Sequence, residues 1–286
     1  MTFLNIFKSL AKNNKENIGI GLGKLEDHNI KVFKACLQFL KEFTSTILLF
    51  GNEKAINQIK NSKLYEKNKQ DIKYVNSGDP EKEIFQYLKS NTISAAVRGN
   101  FGSSKFLVNL KEYYKISEVY RLALLETYDG TQFFYGPVGI DECNSIEEKI
   151  LFVEKAIKLL TSVRIDPNVS ILSGGRLSDK GRDPRVDESI NCAEEVVKFL
   201  GLEFSNVLIN HDEILIENAI RNKANIIIAP DGISGNLIYR TLVHLGGGKA
   251  YGAIYMDMEP IIIDTSRVGD LSEIYGALIL ALALIR

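Results

Sequence analysis

The chain has 286 residues, enough for about two domains of roughly 100–200 residues each. Its 45% hydrophobic and 25% charged content excludes a disordered chain. Thirty-five Lys and Arg against 36 Asp and Glu leave a net charge of −1, so no global field selects nucleic acid or an anionic membrane. Cys36, Cys143 and Cys192 are scattered, with no C-x-x-C; they suggest neither a zinc ribbon nor a redox pair and point to a reducing cytoplasm.

Short apolar runs alternate with longer amphipathic runs along the chain. The opening residues carry too short an apolar run for a secretory leader. The first predicted strand, 18–22, holds Gly19-Ile20-Gly21-Leu22-Gly23. A dinucleotide loop needs an apolar strand before its glycines and an acid about 20 residues on. Upstream of these glycines lies a polar segment, and Glu42 sits inside a helical run, so the segment reads as a glycine-rich strand and its exit turn. Further strands are predicted at 47–50, 72–76, 93–97, 119–125, 169–172, 207–209, 226–229 and 253–256. Asp79-Pro80 opens a helix, and Ser145 with Glu148 has capping-box spacing. Tyr128-Asp129-Gly130-Thr131 reads as a turn between two extended runs, a hairpin-like insertion near 128–143. A helix begins near Pro184, another runs from about Asn236 to Leu245 and stops at Gly246-Gly247-Gly248, and the last apolar stretch, 275–285, is a buried terminal helix too short to span a bilayer. The alternation defines an α/β fold with mainly parallel sheets.

Three loops carry candidate chemistry. Gly174, Gly175 and Arg176 follow a predicted strand, where α/β proteins bind ligands, and Lys180, Arg182 and Arg185 add positive charge. Asp179, Asp183, Asp187 and Glu188 cancel that charge, so a solvated loop and a phosphate site both remain open. Asp231, Gly235 and Asn236 open a helix after another strand, as ligand groups or as an ordinary cap. Ser266-Arg267 precedes the terminal helix and offers a guanidinium fork for carboxylate or phosphate. Asp270 and Glu273 have capping-box spacing, which would occupy Glu273 structurally. His28, His211 and His244 form no metal spacing.

The run Ala224-Asn225, Pro230, Gly235-Asn236, Tyr239, Leu245-Gly246-Gly247, Gly252, Asp264 and Ser266-Arg267 resembles the phosphate acetyltransferase and butyryltransferase superfamily, as does Gly99 to Ser103-Ser104. Within it the chain is similar to the MtxX group of methanogenic archaea, labelled methyltransferase subunits or methanogenesis markers. The resemblance implies two α/β domains around a cleft, of isocitrate/isopropylmalate dehydrogenase type: 1–115 with 261–286, and 116–260. It implies a cytoplasmic transferase, a homodimer with methyltransferase partner subunits, binding a small anion, without nucleic acid or membrane. It implies a catalytic set of Ser266, Arg267 and Glu273, the last in place of the family aspartate, and ligand contacts from Ser103, Ser104, Asp231, Gly235, Asn236, Gly174 and Arg176. Coenzyme A and a methanogenic methyl carrier are the cofactor candidates, with no metal. Asn109 stands where the family has a second arginine, for which nearby Arg98 is the candidate substitute. Acyl exchange between phosphate and coenzyme A, and a non-catalytic binding subunit, are the competing functions.

Overall fold

A computed structural model describes residues 2–67 and 72–285; Met1 and Arg286, at the ends of the expected first domain, lie outside them. The chain forms two compact units, Met1–Glu118 with Ala250–Arg286, and Val119–Lys249.

The first unit begins with α1 (Phe3–Ala11), whose Thr2 cap accepts from Asn5 N, and continues through β1 (Ile18–Gly21) and α2 (Glu26–Leu40). Then come β2 (Ile47–Gly51), α3 (Glu53–Lys60), α4 (Lys63–Lys67), β3 (Ile72–Asn76), α5 (Pro80–Lys89), β4 (Ala95–Val97) and α6 (Ser103–Tyr114). Strands β1 (Ile-Gly-Ile-Gly), β2 (Ile-Leu-Leu-Phe-Gly) and β4 (Ala-Ala-Val) are buried along their whole length and show no polar alternation, because helices cover both faces of a parallel sheet. Pro80 occupies the first turn of α5, where its missing N–H costs nothing, but Asp79 makes no side-chain cap; its carboxylate takes Lys105 Nζ at 2.7 Å instead.

The second unit holds β5 (Arg121–Glu126), β6 (Gln132–Gly136), α7 (Ile146–Ser162), β7 (Asn168–Ile171), α8 (Pro184–Glu203), β8 (Leu208–His211), α9 (Ile216–Arg221), β9 (Ile226–Ile228) and α10 (Gly232–His244). Its strands run β5-β6-β9-β7-β8, parallel except for the antiparallel β5–β6 pair. The expected hairpin is therefore no insertion. β6 pairs with β9 in the middle of the sheet, and Phe133, Phe134 and Tyr135 are buried there. The capping box before α7 is shifted by one residue: Ser145 Oγ accepts from Glu148 N, but the Glu148 carboxylate takes Asn144 N.

The chain returns to the first unit through β10 (Lys249–Tyr255), β11 (Ile261–Asp264) and α11 (Leu271–Leu284). The order there is β3-β2-β1-β4-β11-β10, with β10 antiparallel to β11 and the other pairs parallel. Helix α11 is apolar all round and buried from Glu273 to Leu282, as a helix enclosed by its unit must be. Gly276 allows it to lie on β10: a Cβ there would stand 2.5 Å from that of Tyr251. Each fully buried Leu or Ile on this helix contributes about 1.5–3 kcal/mol. No helix among the described residues is long and apolar enough to cross a membrane.

Candidate functional site

β4 and β11 are parallel neighbours, with Val97 opposite Ile263, so the loops leaving their carboxyl ends run side by side. Their first residues lock them together. The Arg98 guanidinium donates to the Asp264 carboxylate, to the Thr265 carbonyl, and to the Phe101 carbonyl at 2.7 Å. The Thr265 hydroxyl donates to the Gly99 carbonyl at 3.0 Å. Burial works against the Arg98 charge, but the Asp264 carboxylate outweighs it and raises the pKa of this 5%-exposed side chain. Arg98 is thus spent on structure and does not stand in for the family arginine at Asn109. Asn109 lies inside α6, its amide nitrogen buried without a hydrogen-bond partner among the described residues.

Beyond this lock the two loops present functional groups. Ser103 and Ser104 form the first turn of α6, where Gly102 supplies no side-chain cap and no acid follows, so the helix opens with uncapped N–H groups. On the neighbouring loop, Ser266 N donates to Glu273 Oε1 at 2.7 Å, Val268 N to Ser266 Oγ at 3.3 Å, and Gly269 N to the Ser266 carbonyl at 3.1 Å. Asp270 sits at the N-cap of α11 but makes no side-chain cap bond. The expected Asp270–Glu273 box is therefore replaced: Glu273, 4% exposed, reaches past the cap and holds Ser266. Gly269 leaves room for that carboxylate, since a Cβ there would lie 2.1 Å from Glu273 Oε2. Ser266, Arg267 and Glu273 are thereby gathered in one turn. Arg267 is exposed and has no ion-pair partner among the described residues.

In the second unit, parallel pairing of β6, β9 and β7 brings three loops to one sheet edge, with Gly136 and Ile171 both opposite Ile228. Asp231 and Ser234 form a reciprocal capping box, Ser234 N to Asp231 Oδ1 at 2.8 Å and Asp231 N to Ser234 Oγ at 3.2 Å. Gly235 lets the Pro137 carbonyl approach α10, because a Cβ would meet that oxygen at 2.1 Å. Asn236 Nδ2 donates to the Val138 carbonyl at 2.8 Å. Gly235 and Asn236 hold the 137–143 loop against the helix, while Asp231 caps it. That loop is anchored again by Arg121, whose guanidinium meets Glu142 at 2.5 Å. Burial raises the Glu142 pKa, opposed by Arg121.

The Gly174–Arg176 loop is self-satisfied. Gly174 N donates to Ser189 Oγ at 2.8 Å, and Arg176 N to Asp179 Oδ2 at 2.9 Å. Arg182 pairs with Asp179, Lys180 with Glu194 and Arg185 with Asp183. Three of its positive charges are met locally by acids, while Arg176 is exposed with no ion pair among the described residues. His211, at the end of β8, hydrogen-bonds Ser173 Oγ at 2.8 Å, and burial lowers its pKa. The Gly19–Gly23 run is packing: Gly21 and Gly23 sit against Phe101 and Asn100 of the loop after β4. Among the described residues no group of three or more His, Cys, Asp or Glu could hold a metal ion.

The structure resembles phosphotransacetylases. The EutD phosphotransacetylase of Staphylococcus aureus superposes with a TM-score of 0.72 at 16% identity, covering 99% of this chain and 98% of that one. A phosphotransacetylase from Streptococcus pyogenes gives 0.73 at 14% identity, with the same coverages of 99% and 98%. At these identities the likeness defines the fold. No family model matches the sequence. The "Putative methyltransferase mtx subunit X" of Methanosarcina acetivorans is 38% identical over 267 residues, 93% of this chain and 90% of that protein. That of Methanosarcina barkeri is 36% identical over 259 residues, 91% of this chain and 90% of its own length. The chain belongs to this mtx subunit X family, built on a phosphotransacetylase-like fold.

Proposed function

We propose that the chain is a transferase component of methyl metabolism that binds a small anion at the Ser266–Arg267 turn beside the α6 N-terminus. One observation carries this reading. Arg267 is an exposed guanidinium without an ion-pair partner among the described residues, on a loop whose neighbours are pinned by Glu273, Thr265 and Arg98. A fork held on a rigid loop binds phosphate or carboxylate in two parallel hydrogen bonds. The uncapped N–H groups of α6, with Ser103 and Ser104, add anion-favouring donors. The names of the relatives support methyl chemistry, and coenzyme A or a methyl carrier remains the proposed cofactor. Asp231, Gly235, Asn236, Gly174 and Arg176 are retained as a proposed ligand-binding set within the second unit.

Turnover assays discriminate the readings. Methyl transfer from a methylated thiol or corrinoid donor, reduced by Arg267→Ala, supports the proposal. Acyl phosphate formation from acyl-coenzyme A and phosphate, lost in Arg267→Ala and Glu273→Gln, would replace it with acyl exchange. Anion binding without either turnover would leave a binding subunit.

The proposed homodimer has its own support, and a cytoplasmic location stays part of the proposal. Ile233 and Leu237, one turn apart on α10, are 64% and 61% exposed, with Leu245 at 85% beyond them. This apolar stripe suits a second copy of the chain, alongside partner subunits. Light scattering should give a dimer, and Leu237→Glu a monomer.

A further inference from the structure

Lys149 on α7 and Cys192 on α8 meet inside the second unit, Lys149 Nζ donating to Cys192 Sγ at 3.2 Å. The lysine is 3% exposed, and no carboxylate pairs with it among the described residues. Lysines this buried ordinarily carry an acid partner. Here the buried nitrogen is aimed at a sulfur. Cys192 is half-buried, whereas Cys36 and Cys143 are buried. Burial pushes both of those thiols up, away from the reactive thiolate. Cys192 is the cysteine that a small solute reaches, and the atom touching its sulfur is a nucleophilic nitrogen.

We propose that Lys149 and Cys192 form an oxidant-triggered, reversible covalent crosslink between α7 and α8. The oxidant is a peroxide. In the first step the Cys192 sulfur attacks the peroxide: an S–O bond forms, the O–O bond breaks, sulfur loses two electrons and one water leaves. In the second, the Lys149 nitrogen gives one proton to solvent and attacks the sulfenic sulfur: an S–N bond forms, the S–O bond breaks, and the hydroxyl departs as water with a further nitrogen-bound proton. The product is a sulfenamide, and the chain has lost two hydrogens in total. An added thiol reverses it by attacking the sulfur and releasing the amine. The contact distance explains the order of events, because the nitrogen is already in place when the sulfenic acid forms and traps it before a second oxidation. The site is independent of anion binding at Arg267.

The test treats the purified full-length chain with one equivalent of hydrogen peroxide, followed by digestion and mass spectrometry. A peptide joining Lys149 to Cys192, lighter than its two parts by two hydrogens and restored by dithiothreitol, is expected. Trypsin should fail to cut after Lys149 in the same sample. Lys149→Arg keeps the charge but not the nucleophile; in it and in Lys149→Met, one equivalent should leave no linked peptide, and a second equivalent of peroxide should carry Cys192 to sulfinic acid. Circular dichroism confirms that each variant is folded, and Arg serves if Met does not fold. A Cys143–Cys192 disulfide, a stable Cys192 sulfenic acid with Lys149 free, or unmodified Cys192 would each overturn the proposal.

Discussion

Removing the Asp264 carboxylate tests how the candidate site is held. Arg98 and Asp264 are 5% and 8% exposed, and they join the carboxyl ends of β4 and β11. In Asp264→Leu the guanidinium keeps its carbonyl contacts at Phe101 and Thr265 but loses its charge partner. Stranding one member of a buried pair costs about 3–5 kcal/mol. At about 2–4 °C per kcal/mol for a unit of this size, the transition of the first unit should fall by roughly 6–20 °C. Asp264→Asn, which keeps an acceptor, should lose less. Replacing both residues, as Arg98→Met with Asp264→Leu, removes the stranded charge and should recover most of the loss. Scanning calorimetry with urea titration reads all four proteins. A single variant destabilised by less than about 1 kcal/mol, or a double variant no better than the single, would refute the reasoning.

Other perturbations separate packing from chemistry. Burial, with Lys31 and Arg98 nearby, lowers the His28 pKa to about 4. The unfolded chain then binds more protons between about pH 6.5 and 4, so stability is full above that window and declines as pH falls through it, by up to about 3 kcal/mol. His28→Leu should flatten that limb; an NMR titration placing His28 above pH 6 would contradict it. Gly235→Ala forces a Cβ to within 2.1 Å of the Pro137 carbonyl and should cost about 1–3 kcal/mol or more by urea unfolding. Glu273→Ala unties Ser266 N and should cost about 1–3 kcal/mol, while Glu273→Gln keeps the acceptor and most of the stability.

The strands were legible because burial on both faces writes continuous Ile, Leu and Val runs, as in β2 and β9. β11 was missed: its Ile261–Asp264 follows Pro260 directly and was absorbed into the return to the first unit. The turn Tyr128-Asp129-Gly130-Thr131 announces the β5–β6 hairpin but not the second partner of β6, because pairing with β9 is a long-range fact. At the site, residue types were legible and partners were not. Asp270 and Glu273 have the spacing of a box, yet the Glu273 carboxylate found Ser266, seven residues earlier. Arg98 read as a spare cation and is consumed by Asp264, which stands 166 residues away in sequence and one strand away in space.

Calorimetric titration of inorganic phosphate and of acetyl phosphate into the wild-type chain and into Arg267→Ala is the most direct measurement of the proposed anion site. Saturable binding by the wild type, weakened at least about tenfold by the substitution (about 1.4 kcal/mol) with the melting temperature unchanged, is the predicted result. Equal affinity in the two proteins, or no saturable binding of either anion to the wild type, would contradict it.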